Sequence, residues 1–82
     1  SLIYLTKWLA KEYSPKIRVN CISPGGVYRN HSKKFVNNYS SKTLLKRMAN
    51  ELDIVGPILF FLSNHSKYIT GQNLIVDGGF SL

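Results

Sequence analysis

The fold is decided by the stretch IRVNCISPGGVY, residues 17–28, which has the pattern of a short strand stopped by Pro-Gly-Gly. Its first residues alternate apolar with polar side chains, which predicts a β-strand. Pro24 supplies no backbone donor, so the strand should end there. Gly25 and Gly26 lack a Cβ, so they allow a positive φ or the close approach of another group. Because ligands bind beyond the carboxyl ends of parallel strands, we expect a ligand here, with an ordinary turn as the alternative.

The rest of the chain supplies two helices, a basic segment and a second strand. Apolar residues at helical spacing predict a first helix that stops just before Pro15. A second helix over residues 50–62 has Asn50 as its N-cap, and Pro57 should kink it without ending it. Residues 73–76 form the last strand. This order predicts the C-terminal part of a Rossmann-type, doubly wound parallel α/β sheet, in which a right-handed crossover joins parallel neighbours.

The basic segment, residues 28–49, separates the first strand from the second helix. Phe35 and Tyr39 lie one helical turn apart within it, which indicates a short helix. Apolar residues within 44–48 suggest a second short helical piece. A solvated loop is the alternative interpretation of the whole segment.

Length, charge and cysteine content restrict the class of protein. Eighty-two residues can bury one small core but fall short of a complete dinucleotide-binding domain, so residues 1–82 are expected to be a single partial domain. The net charge of +7 would suit nucleic acid, but balancing acids elsewhere in a longer protein explain it better. The single cysteine, Cys21, suits a buried position and a reducing cytoplasm. No apolar run approaches the ~20 residues that span a bilayer, and His31 and His65 lack partners at metal-ligand spacing, so neither membrane nor metal binding is expected.

Two motifs resemble the short-chain dehydrogenase/reductase family. Residues 18–25, RVNCISPG, are similar to its Arg-Val-Asn-x-Ile-x-Pro-Gly segment, and residues 68–79, YITGQNLIVDGG, to its closing Ile-Thr-Gly-Gln…Val-Asp-Gly-Gly. The resemblance implies an oxidoreductase that uses NAD or NADP to move hydride between nicotinamide and a carbonyl or secondary alcohol. It also implies that the catalytic Tyr-x-x-x-Lys lies before Ser1, so no catalytic residue is assigned. Tyr4 and Lys7 have only two residues between them and do not align with that motif.

The resemblance also assigns a cofactor loop and a substrate lid. In the family, the backbone of the residue matching Val27 binds the nicotinamide carboxamide, and a Thr usually follows two positions later. Arg29 stands in that place here, so either the role of the Thr is absent or Arg29 reaches an anionic group of the cofactor or substrate. The cofactor-binding residues implied are Pro24, Gly25, Gly26, Val27 and Arg29. Residues 28–49 match the lid, and its basic charge predicts an anionic acyl or sugar substrate. The lid residues assigned to the substrate are Tyr28, Lys33, Lys34 and Phe35.

Two other functions stay open. The chain could be a non-catalytic remnant that serves only as an oligomerisation segment. It could also be a small basic nucleic-acid-binding module, which is less favoured because its aromatic residues lie at helical core spacing rather than between basic residues. Residues 73–76 would be a last strand with a free edge, which needs a cover. Family members commonly assemble through this strand and the helix before it, so we expect a homotetramer, with Phe80 crossing to a neighbour.

Overall fold

The structure, a computed structural model, describes residues 1–82. Its elements are α1 (Leu2–Tyr13), β1 (Cys21–Pro24), α2 (Lys33–Ser41), α3 (Glu51–Leu62), a short 3-10 helix (Asn64–Ser66) and β2 (Asn73–Val76). The chain divides into two units, the first made of Ser1–Ile22 with Gly56–Leu74 and the second of Ser23–Val55 with Ile75–Leu82. The predicted order of helix, strand, basic segment, helix and strand is confirmed; the segment 28–49, which the resemblance assigns to a lid, is called the lid below.

β1 and β2 form a two-stranded sheet. In the first unit, Cys21 N–H donates to Gln72 O at 2.9 Å, and in the second unit, Gly25 N–H donates to Val76 O at 2.9 Å. Donors and acceptors advance together along the chain, so the two strands are parallel. The predicted α/β class with parallel strands is therefore confirmed.

β1 begins at Cys21, later than the alternation of side chains suggested. The reason lies at Val19, whose N–H donates to the side-chain oxygen of Thr70 at 3.1 Å instead of to a strand carbonyl. Gly71 then takes a φ of 73° and donates its N–H to Val19 O at 2.7 Å. A left-handed residue breaks the extended geometry of a ladder, so regular pairing starts only beyond it.

Within the first unit, the Arg18 side chain fastens the first motif to the end of α3 and the turn after it, and the Asn20 side chain fastens it to the second motif. The Arg18 guanidinium donates to Ser66 O at 2.9 Å and to Phe61 O at 3.1 Å. The Asn20 amide donates to Ile69 O at 3.0 Å. Phe61 lies in the last turn of α3 and Ser66 in the short 3-10 helix after it, where carbonyls at a helix end need donors from outside the helix. These side-chain bonds therefore give the first motif a structural role in the first unit.

The start of α3 follows the prediction. Asn50 Oδ1 accepts the Asp53 N–H at 3.1 Å, and Asp53 Oδ2 accepts the Asn50 N–H at 2.8 Å. This reciprocal pair is a capping box, so Asn50 is confirmed as the N-cap. The helix continues through Pro57 to Leu62, so Pro57 does not end it.

The lid contains one helix rather than two. α2 is capped by Ser32, whose hydroxyl accepts the Phe35 N–H at 3.1 Å. The predicted helical piece within 44–48 is wrong, because Lys46 has a φ of 61° and a helix cannot continue through a left-handed residue. Instead, the hydroxyl of buried Thr43 closes the turn, accepting a backbone N–H and donating to a carbonyl.

Few apolar side chains are buried: Ala10, Cys21 and Met48. The burial of Cys21 was predicted. Large apolar side chains are exposed instead: Leu52, Leu59 and Leu62 on α3 are each at least 60% exposed. None of the helices has both the length and the apolar character needed to cross a membrane.

Candidate functional site

The loop that follows β1, residues 24–27 (the strand-end loop), is bridged to the end of the lid. Gly26 O accepts the Ala49 N–H at 2.9 Å, and the Tyr28 N–H donates to Ala49 O at 2.9 Å. These bonds form a parallel bridge between Val27 and Ala49. Because both bonds use its neighbours, the N–H and C=O of Val27 itself point away from Ala49. The loop therefore presents a backbone donor and a backbone acceptor on one residue.

Tyr39 holds the other side of Gly26. Its hydroxyl oxygen accepts the Gly26 N–H at 2.6 Å. A Cβ on Gly26 would lie 2.6 Å from Tyr39 Cζ, and a Cβ on Gly25 would lie 2.8 Å from Asp77 Cβ. Neither glycine has a positive φ. Close approach therefore explains both glycines, as one of the two alternatives predicted, and the approaching groups belong to this chain.

Tyr39 stands in a row of aromatic rings along the lid (the aromatic row). It stacks on Phe80, with centroids 4.9 Å apart and an interplanar angle of 20°, and lies 6.1 Å from Phe35. His31 stacks on Phe35 at 4.8 Å and meets the edge of Tyr28 at 6.1 Å. Phe80, which was expected to cross to a neighbouring subunit, stacks on Tyr39 of its own chain and stays 41% exposed. The reason is that the lid helix brings Tyr39 to the turn after β2.

A cavity of about 110 Å³ lies beside the strand-end loop in the second unit. It is lined by Gly25, Gly26, Tyr39, Leu45, Arg47, Ala49, Val76, Gly78 and the acids Asp53 and Asp77. A bidentate pair of bonds from Arg47, at 2.6 and 3.0 Å, is the main reason that the pKa of Asp53 is lowered to about 2. Bonding from Ser81 is the main cause that lowers the pKa of Asp77. Both acids are therefore carboxylates that accept hydrogen bonds and serve as structural groups rather than proton donors.

Arg29, which was assigned to an anionic group of the cofactor or substrate, makes contacts with residues of its own chain. Its guanidinium forms an exposed ion pair with Glu51 at 3.1 Å and donates to Tyr28 O at 3.2 Å. Its backbone N–H donates to His31 Nδ1 at 3.1 Å. Among the predicted cofactor-binding residues, the structure brings the four of the strand-end loop together, while the side chain of Arg29 is turned to the start of α3.

The lid residues assigned to the substrate all lie near the start of α2. Tyr28 and Phe35 belong to the aromatic row and are each 47% exposed. Lys33 and Lys34 are exposed in the first turn of α2, which contains no acidic residue. These four residues therefore lie within the first part of the lid. The His31 ring contacts two of them, Tyr28 and Phe35.

Sequence reasoning missed Tyr39 as a site residue. The signal was present, because Tyr39 lies one helical turn after Phe35 and a double glycine precedes the lid. The periodicity of the sequence predicted the helix, but it could not predict that the Tyr39 hydroxyl contacts Gly26. Tyr4, rejected as catalytic, is 75% exposed on α1. The structure brings no three His, Cys, Asp or Glu side chains together in a metal-binding group.

Known proteins are similar to this chain over nearly its whole length. A family model described as Enoyl-(Acyl carrier protein) reductase matches residues 1–81. The Post-translational flagellin modification protein A of Campylobacter coli is 41% identical over 80 residues, covering 96% of this chain and 31% of that protein.

Two solved structures are similar along the whole chain. A short chain dehydrogenase of Leptospira borgpetersenii serovar Hardjo-bovis, with bound NAD+, is 53% identical with a TM-score of 0.92, covering 98% of this chain and 32% of that one. A 4-hydroxyisoleucine dehydrogenase complexed with NADH and succinate is 36% identical with a TM-score of 0.87, covering 98% of this chain and 34% of that one. This chain thus spans about a third of the length of the relatives it matches.

Proposed function

This chain belongs to the short-chain dehydrogenase/reductase family of oxidoreductases, which have a Rossmann-type α/β fold, and we propose that it holds the nicotinamide end of NAD or NADP. The observation that carries the proposal is the orientation of Val27, whose N–H and C=O both point away from Ala49. A primary carboxamide carries an N–H₂ donor and a C=O acceptor, so it can pair with both groups at once. When bound, NAD or NADP accepts or supplies the hydride that interconverts a secondary alcohol and a carbonyl.

The role of the chain in this proposal is to bind and orient. Pro24 ends the strand, and Gly25 and Gly26 let Asp77 and Tyr39 come close enough to fix the loop. A loop fixed before binding loses less conformational entropy when a ligand arrives. We assign no proton-transfer residue to the chain, because the acids beside the loop are hydrogen-bonded carboxylates.

We propose that the lid, residues 28–49, closes on an anionic substrate. Lys33 and Lys34 lie at the N-terminus of α2, where the helix dipole adds to their positive potential. Arg29 holds only an exposed ion pair with Glu51, which an anionic group of the cofactor or substrate can replace. A dehydrogenase similar to this chain was solved with succinate, a dianion, which supports the same substrate class.

We further propose a homotetramer that assembles through β2 and α3. Its support is the exposed apolar surface of α3 together with Ile75 on β2, which is 55% exposed. Such a surface costs free energy in water and is normally covered. The free Cys21 thiol is consistent with a reducing, cytoplasmic compartment.

The test compares cofactors that differ only at the carboxamide. Calorimetry on the protein at its natural length would measure its affinity for NAD+ and NADP+, and for their 3-acetylpyridine analogues, in which a methyl ketone replaces the carboxamide. The analogue keeps the acceptor but lacks the donor that would bond Val27 C=O. We expect about three- to tenfold weaker binding of the analogue, the usual net effect of one hydrogen bond. If neither dinucleotide binds, or if the analogue binds as tightly, the proposal is wrong.

A further inference from the structure

We propose that Tyr39 is a positioning residue whose hydroxyl keeps the strand-end loop in the one orientation in which Val27 meets the nicotinamide carboxamide. The inference rests on the function proposed for Val27. Its starting point is the bond from the Gly26 N–H to Tyr39 Oη, which at 2.6 Å is short for an N–H donor.

Gly26 is clamped on both of its peptide planes. The Gly26 N–H belongs to the peptide that joins it to Gly25, and this plane is held by Tyr39. The Gly26 C=O belongs to the same planar peptide as the Val27 N–H, and this plane is held by Ala49 at 2.9 Å. Glycine has the widest choice of φ and ψ, so without the first bond the planes on either side of Gly26 could rotate relative to each other. Tyr39 therefore supplies a second restraint that acts together with the Ala49 bonds to fix the direction of the Val27 N–H.

The Tyr39 ring is itself fixed. It stacks on Phe80 at 4.9 Å and is followed by Phe35 at 6.1 Å in the aromatic row. A Cβ on residue 26 would lie 2.6 Å from Tyr39 Cζ, so only glycine at this position admits the ring. Because Tyr39 lies on α2, the position of the lid helix and the orientation of Val27 are linked through one hydroxyl.

The test is Tyr39→Phe in the protein at its natural length, read as a ratio of two affinities. One is the affinity for the preferred oxidised dinucleotide, and the other is the affinity for the matching ADP-ribose, which lacks nicotinamide. Removal of the hydroxyl keeps the stacked ring and leaves the Gly26 N–H without its partner. We expect the ratio to fall about three- to tenfold while ADP-ribose binds within about twofold of the wild-type value. Tyr68→Phe, at a fully exposed tyrosine of the first unit, is the matched control and should change neither affinity.

Gly26→Ala gives an independent measurement, because its methyl group would displace the Tyr39 ring. The same fall in the ratio is expected. An unchanged ratio in either variant overturns the inference, and so does an equal loss of both affinities, which would indicate a merely structural role. A wild-type protein that binds the dinucleotide no better than ADP-ribose overturns the proposed function of Val27 instead. The two failures are therefore distinguishable.

Discussion

Asp53 ties the end of the lid to the start of α3. Its carboxylate accepts two bonds from Arg47, at 2.6 and 3.0 Å, and one from the Asn50 N–H at 2.8 Å. The Arg47 bonds are the main reason that its pKa is lowered, from 3.8 to about 2, and the Asn50 bond adds to the effect. A residue that both caps a helix and holds an arginine should make the stability of the fold depend on pH.

The sign of that dependence follows from the lowered pKa. A carboxyl with a lower pKa in the folded state stabilises the fold above its unfolded pKa, near 3.8, and this stabilisation is lost as the pH falls towards about 2. Asp53→Asn should therefore unfold at a lower temperature than wild type near neutral pH, with the difference shrinking in acid. Asp77, whose pKa is also lowered, should leave some dependence in the variant.

Thermal unfolding followed by circular dichroism between pH 2 and 6 checks this prediction. Glu12→Gln, an exposed carboxyl-to-amide change on α1, is the matched control and should follow the wild-type curve. Curves for Asp53→Asn and wild type that run parallel down to pH 2 would show that the carboxylate of Asp53 carries no stability.

The lid helix α2 carries its charges at the end where they cost stability. Lys33 and Lys34 lie in its first turn, at the positive end of the helix dipole, and no acid balances them. A carboxylate at such a position usually stabilises a helix by about 0.3–1 kcal/mol, and a lysine does the opposite. This cost is understandable if the two lysines serve the binding of an anion.

Charge reversal at both lysines should therefore move stability and binding in opposite directions. We expect Lys33→Glu/Lys34→Glu to raise the unfolding temperature slightly and to raise the KM for an anionic substrate about fivefold at low salt, with kcat little changed. The matched control is Lys42→Glu at the C-terminal end of the same helix, which should lower stability and leave KM unchanged. An unchanged KM for the double variant at low ionic strength would show that the two lysines are solvated surface charges that do not bind the substrate.

The molecule as a whole leaves many large apolar side chains exposed and buries few. Leu59 and Leu62 on α3 are 60% and 75% exposed, while the buried apolar side chains are only those of Ala10, Cys21 and Met48. Apolar area removed from water stabilises by about 25 cal/mol per Å², so covering this surface with a second copy is favourable. A closed, two-fold arrangement would also pair the edge of β2.

We expect the protein at its natural length to sediment as a tetramer at micromolar concentration. Leu59→Asp should shift it to smaller species, because a buried unpaired carboxylate costs several kcal/mol at an interface. Tyr68→Asp, at a fully exposed residue outside α3 and β2, is the control and should leave the sedimentation unchanged. A wild-type monomer, or a Leu59→Asp variant that remains tetrameric, would refute assembly through this face.

The sequence by itself determined the α/β class, the two parallel strands, the Asn50 cap and the continuation of α3 through Pro57. Each of these depends on periodicity or on the backbone chemistry of one residue and its near neighbours, which a sequence displays directly. It also indicated that Gly25 and Gly26 allow a positive φ or a close approach, and it left open whether a ligand or an ordinary turn follows the strand.

Only the tertiary structure decided which groups approach those glycines. The hydroxyl of Tyr39 reaches Gly26 from 13 residues away, and Asp77, directly after β2, reaches Gly25. Which of several polar groups a side chain meets depends on the angles at which distant elements pack, and no local pattern encodes those angles. For the same reason, the pairing of Arg29 with Glu51 and the stacking of Phe80 on Tyr39 appear only once the chain is folded.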